Sequence, residues 1–267
     1  MTRIAVLGAG TIGEALLAGL LSSGQDAGEL MFTERYPQRC AELTERYGID
    51  AVLPQTAAQL ADILVIAVKP QDVEELLAEL TELNDGAVVI SLCAGLPTSV
   101  FERRLPAGTP VVRVMPNTPM VIGEAISAIS AGKHAMEQHL AVSERLMRAV
   151  GRVVRVPENQ QDAVTAISGS GPAYLFLLVE AMIDAGVLLG LPRAVAAELA
   201  TQSAVGAATM LRDTGRHPVL LREGVTSPGG TTSAAVRALE DHGLRTAIFA
   251  AVEAARDRSV ALGGLQQ

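Results

Sequence analysis

Up to about residue 156 the chain alternates between two textures of apolar and polar residues. Short unbroken apolar runs (IAVLG, LMFT, DAVL, ILVIAV, AVVISL, VVRVM, AISAIS and VVRV) are separated by stretches such as EALLAGLLSSG and DVEELLAELTEL, which read as helices. Strands alternating with helices predict βαβ units and a mostly parallel sheet. The continuous run ILVIAV predicts a strand covered on both faces. After VPENQQD the texture changes: from Ala163 onward, Ala-, Leu- and Val-rich stretches broken by Gly and Pro predict helices alone. These are expected over about 160–168, 171–190, 193–212, 231–241 and 243–262. The pattern divides the chain into an α/β domain, 1–157, and an all-helical domain, 158–267.

Helices such as AMIDAGVLLG and AELATQSAVGAATML carry few charges to face water. Helices apolar most of the way round are buried, and a domain of this size can scarcely bury them all by itself. The surplus predicts a subunit interface and hence a homo-oligomer. Gly186, Gly190, Gly206 and Ala207 are small enough to let helices pack closely.

Composition narrows the classes. The 267 residues are 49% hydrophobic, enough for a substantial core, and the formal net charge is −8 with no Lys/Arg cluster. Nucleic acid is therefore not an expected partner, because phosphate backbones are bound chiefly by basic patches. Cys40 and Cys93 are too few and too far apart for a disulfide framework or a metal site, which favours a reducing compartment. The start MTRIAVLGAG lacks the features of a signal peptide, and no run holds 18 uninterrupted apolar residues. A cytoplasmic protein without a membrane span is expected.

The candidate chemistry begins at RIAVLGAGTIGEALLAGL, where Gly8, Gly10 and Gly13 have G-x-G-x-x-G spacing directly between an apolar strand and a helix. In that setting the first glycine makes the turn, the second lets backbone approach a pyrophosphate, and the third lets helix and strand pack closely. Leu7, Gly8, Ala9, Gly10, Thr11, Ile12 and Gly13 are thus the candidate cradle of a dinucleotide, and the α/β domain reads as Rossmann-like. After the second strand stand Glu34 and Arg35, with opposite signals. An acid there accepts hydrogen bonds from the ribose of NAD, whereas an arginine holds the 2′-phosphate of NADP. The choice between NADPH and NADH stays open. Further strand ends place Ala67, Val68, Lys69 and Pro70, then Cys93 and Ala94, then Asn117 in MPNTP, where ligands of open α/β sheets bind.

None of His134, His139, His217 and His242 lies in a recognisable catalytic motif, and no Tyr-x-x-x-Lys pair is present. VTSPGGTTSAAVRALE, at 225–240, combines a Pro-Gly-Gly turn with Thr231, Thr232 and Ser233 opening a helix. That is cap chemistry, and equally an anion site, since free amides at a helix start attract negative charge.

With GAGTIG, AVKP, MPNTP, DAVTAISGSGPAY and SPGGTTSAAVRALE in order over nearly the full length, the chain resembles the pyrroline-5-carboxylate reductases. The resemblance implies reduction of a cyclic imine to L-proline by NAD(P)H, the last step of proline biosynthesis. It also implies a carboxyl-terminal domain that builds a dimer, which in this family commonly associates into a ring of five dimers. It implies that Thr232 hydrogen-bonds the imine nitrogen. It further implies that Ser227, Gly230, Thr231 and Thr232 hold the substrate carboxylate, and that Glu158 contacts the substrate side. Ser168, Gly169 and Ser170 would line the cleft between the domains. Family precedent favours NADPH, and Glu34 departs from it. Two alternatives stand beside this reading: a related dehydrogenase acting on a different small imine or on a β-hydroxy acid, the latter kind using a helix lysine that the helical domain lacks, and a non-catalytic dinucleotide-binding regulator, which need not keep SPGGTT.

Overall fold

Eight strands form one sheet in the computed structural model, which describes residues 2–264. They are β1 (Ile4–Leu7), β2 (Leu30–Thr33), β3 (Asp50–Ala51), β4 (Ile63–Ile66), β5 (Val88–Ser91), β6 (Val111–Met115), β7 (Ala125–Ala131) and β8 (Gly151–Arg155), in the order β3-β2-β1-β4-β5-β6-β7-β8. Every pairing is parallel except β6 with β7. The connection from Met115 to Ala125 holds only a single-turn helix, Thr118–Ile122, too little for a crossover, so the chain turns back antiparallel.

The unbroken apolar runs have a simple cause. Ile4 and Val6 enter one core while Ala5 and Leu7 enter another, and Ile63 and Val65 likewise part from Leu64 and Ile66. Period-two alternation therefore delivers an apolar side chain to each face. The first core is covered by α1 (Thr11–Ser22), α2 (Pro37–Tyr47) and α6 (Glu137–Met147), the second by α3 (Pro54–Leu60), α4 (Val73–Glu79) and α5 (Thr98–Glu102). Of the expected strands, DAVL shrinks to two paired residues, because Leu53 caps a helix that Pro54 opens.

Beyond β8 come α7 (Gln161–Val164), a π-turn over Thr165–Gly169, α8 (Gly171–Leu188), α9 (Arg193–Thr214), α10 (Pro218–Gly224), α11 (Thr231–Asp241) and α12 (Leu244–Gly264). By contacts the described residues form two compact units: 2–170 together with 254–264, and 171–253. The end of α12 thus packs within the first unit. Ser259 Oγ donates to Asp162 Oδ1 at 2.7 Å. A Cβ on Gly263 would stand 2.6 Å from the Gly95 carbonyl oxygen, so the helix meets the turn after β5 backbone to backbone.

In the second unit α8 and α9 cross closely, where a Cβ on Gly186 would approach the Ala196 Cβ to 2.9 Å. Ala196 is buried, but no residue of α8 is, and Phe176 and Leu188 are 68% and 86% exposed. Among the described residues one helical run, Glu158–Leu188, is long and apolar enough to cross a membrane by length and composition alone.

Candidate functional site

The sheet order reverses between β1 and β4, and there the two strand ends meet. Gly8 has φ +98°, and a Cβ on it would lie 2.7 Å from Val68 Cγ1 and 2.9 Å from the Val68 nitrogen. Its amide donates to the Thr33 carbonyl at 3.1 Å, which ties the turn to β2 as well. A Cβ on Gly13 would stand 2.1 Å from the Gly8 carbonyl oxygen, so α1 rests directly on the turn that launches it. Gly10 differs: a Cβ there would meet no protein atom within 4 Å. Two glycines answer to packing and the middle one to open space, as a pyrophosphate approaching the backbone requires.

Gly10 also caps α1 with no side-chain hydrogen bond, and Glu14 is the first residue to donate into the helix, to the Gly10 carbonyl. The amides of Thr11, Ile12 and Gly13 precede that first bond, the arrangement by which helix starts attract anions. The residues present fit a dinucleotide.

The other expected cofactor residues lie at carboxyl ends of neighbouring strands in this unit: Arg35 after β2, Ala67–Pro70 after β4, Cys93 and Ala94 after β5, Asn117 after β6. Lys69 is exposed and caps a turn over Pro70–Asp72. Cys93 is buried, its thiol donating toward the Val68 carbonyl at 3.4 Å, and burial pushes its pKa up to about 12. A thiol in that state is no nucleophile. Asn117 is engaged at both ends of its amide: Nδ2 donates to the Ser168 carbonyl at 3.1 Å and Oδ1 accepts from Ile126 N at 3.0 Å.

The second unit holds the other cluster. Ser227–Gly230 form a turn in which the Gly230 amide donates to the Ser227 carbonyl at 3.0 Å, and Gly229 has φ +66°. Gly230 caps α11 without a side chain, and the first donor into the helix is Ala234. The free amides are therefore those of Thr231, Thr232 and Ser233; Gly230 spends its own on the turn. Thr232 and Ser233 are half-buried, Thr231 exposed.

Sequence comparison places these features. Residues 158–262 match the family model described as "Pyrroline-5-carboxylate reductase dimerisation", and 3–95 one described as "NADP oxidoreductase coenzyme F420-dependent". The pyrroline-5-carboxylate reductase of Corynebacterium melassecola is 47% identical over 98% of this chain and 99% of its own. The chain belongs to the pyrroline-5-carboxylate reductase family. The reductase of Synechocystis is 42% identical over 98% of both chains. A solved pyrroline-5-carboxylate reductase from Coxiella burnetii superposes with a TM-score of 0.92 at 35% identity over 98% of each chain. That of Plasmodium falciparum, with NADP bound, gives 0.88 at 28% identity over the same shares.

In this member of the pyrroline-5-carboxylate reductase family, Glu158 is drawn into the first unit. Its Oε1 accepts from Thr98 N at 2.7 Å and its Oε2 from Thr98 Oγ1 at 3.0 Å, which caps α5. The same carboxylate lies 3.8 Å from Arg113 Nη1, and Asp162 lies 3.6 Å from Nη2. Arg113 is only 4% exposed, and burial, more than its acidic neighbours offset, pulls its pKa down. Motif reading missed this Arg113–Glu158–Asp162–Ser259 cluster. Its members are scattered along the sequence, and the one available signal was an arginine inside the apolar strand VVRVM. Among the described residues no group of His, Cys, Asp and Glu could hold a metal.

Proposed function

We propose that this chain reduces 1-pyrroline-5-carboxylate to L-proline with NADPH or NADH, the last step of proline biosynthesis. The observation that carries this reading is that 47% identity to a named reductase extends over 98% of the chain, covering both the glycine turn and the start of α11. When bound, the reduced dinucleotide supplies hydride to the imine carbon. The protein holds it: the cradle from Leu7 to Gly13 takes the pyrophosphate, Arg35 takes a 2′-phosphate, and Ala67–Pro70, Cys93 and Ala94 shape the wall beside it. Asn117, with both ends of its amide engaged, positions the strand end and the π-turn.

The amides of Thr231, Thr232 and Ser233, with the Ser227 turn behind them, take the substrate carboxylate. An imine nitrogen is far more basic than a ketone oxygen, so no strong acid is needed. The Thr232 hydroxyl either orients a nitrogen that is already protonated or relays a solvent proton to the neutral imine nitrogen, being too weak an acid to act alone. Glu158 serves by bracing α5 and Arg113.

The exposed apolar faces of α8 and α9 fit a second copy of this chain, in keeping with the dimerisation family matched there, and dimers associate further into a ring of five. With those faces covered, the reading is of a soluble protein, and its two unpaired cysteines favour the cytoplasm. The reading is tested by mixing purified protein with 1-pyrroline-5-carboxylate and following loss of NADPH or NADH absorbance; no turnover with either cofactor defeats it.

A further inference from the structure

Arg35 does not stand alone at the end of β2. Its Nη2 donates to Glu75 Oε2 at 2.9 Å, and Asp72 Oδ1 lies 3.9 Å from the same nitrogen. Glu34 turns back on its own backbone, Oε1 accepting from the amides of Arg35 at 2.8 Å and Tyr36 at 3.3 Å. The guanidinium and two amides at this strand end thus point at carboxylates of the chain itself. Glu75 is in the first turn of α4, whose other first-turn acid, Glu74, pairs with Arg104 at 2.8 Å. Arg35 and Glu75 are 60% and 71% exposed, so their pair stands in water and exchanges readily with another anion.

NADP carries a phosphate where NAD carries a ribose hydroxyl, and an arginine beside the ribose is what accommodates that phosphate. A dianion beside Arg35 lies well within a screening length, about 10 Å at 0.1 M salt, of the Glu75 carboxylate. It is repelled whether Arg35 swings away from Glu75 or is shared with it. NAD brings no charge to that point and is indifferent to Glu75.

We propose that Glu75 is a specificity-determining residue: its carboxylate competes with the 2′-phosphate of NADP for Arg35 and narrows the preference for NADP over NAD. The proposal rests on the first unit's reading as the dinucleotide site. It adds a residue of α4, remote in sequence from the glycine turn and from the Glu34–Arg35 pair.

The test is calorimetric titration of NADP⁺ and of NAD⁺ into the full chain and its Glu75→Gln, Arg35→Ala and doubly substituted variants. Glu75→Gln tightens NADP⁺ by about two- to fivefold and leaves NAD⁺ unchanged. With Arg35 already replaced, the same substitution shifts NADP⁺ by less than roughly 1.5-fold, because the competition has lost its object. Weaker NADP⁺ binding by Glu75→Gln, an equal shift for both dinucleotides, or a full gain in the absence of Arg35 overturns the proposal. Binding of neither dinucleotide by the unsubstituted protein overturns the dinucleotide reading along with it. Binding of both with no differential shift removes the role of Glu75 alone.

Discussion

Phe32 and Phe176 are the same side chain in two physical situations. Phe32, on β2, is fully enclosed by the core between the sheet and its helices, whereas Phe176, on α8, is 68% exposed in the single chain. The contrast extends to the surrounding units. Alternation along each central strand sends side chains to both faces of the sheet, where helices wait, so the first unit closes its own core. The second unit has α8 and α9 packed at Gly186 and Ala196, and its large apolar side chains face outward. Apolar residues do two kinds of work here: in one unit they make a fold, and in the other they are kept for assembly.

The sharpest way to break the comparison is to truncate both phenylalanines. Phe32→Ala is expected to cost about 3–5 kcal/mol in denaturant unfolding. Phe176→Ala leaves unfolding of the dissociated chain nearly unchanged but weakens self-association about tenfold or more, read by analytical ultracentrifugation. Equal losses of stability in the two variants would erase the distinction.

Next come the glycines. Gly13→Ala drives a methyl into the Gly8 carbonyl and is expected to cost about 3 kcal/mol of stability together with dinucleotide binding. Gly10→Ala meets no protein atom, so stability stays within about 0.5 kcal/mol while dinucleotide affinity collapses. A destabilised Gly10→Ala chain would show that the open space is needed by the fold itself. In the second unit, Thr232→Ala lowers kcat by roughly ten- to hundredfold with dinucleotide affinity unchanged, measured by steady-state rates and calorimetry. Full turnover would take Thr232 out of the mechanism.

The smallest effect belongs to His139, whose Nδ1 accepts the Met136 amide at 2.9 Å at the start of α6. That bond needs the neutral ring, and burial pulls its pKa below the ordinary value. The unfolded chain takes up this proton first as pH falls. The contribution is therefore complete above the ordinary histidine pKa and is lost as pH drops through the folded one. His139→Gln should flatten that part of the stability–pH curve; an unchanged curve would remove His139 as its source.

Much of the fold was legible because its signals are local. Each apolar run named from the sequence overlaps one of the eight strands, and four of the five expected carboxyl-terminal helices emerge with ends close to those expected. The first of the five splits into short α7 and the π-turn. α10 escaped notice because PVLLREG, pinned between a proline and a glycine, is too short to display a period. The same locality made the glycine turn and SPGGTT readable as candidate sites. What was not legible depends on contacts between distant positions. Glu158 reads as a linker acid until Thr98 and Arg113 are seen beside it, and Glu75 as a solvated helix acid until Arg35 arrives. The assignment of the Gly230 amide was likewise hidden, since only the closed turn shows it spent on Ser227.

The return of α12 carries a consequence for synthesis on the ribosome. Domains ordinarily fold in order of emergence, the amino-terminal one first. Here Gly95 and Asp162 receive their partners, Gly263 and Ser259, from residues translated only after the whole of the second unit. The nascent dinucleotide-binding unit must therefore wait, its sheet formed but one wall missing, until the helical segment has been made in full. Emergence of α12, rather than completion of β8, is the event that closes the first unit.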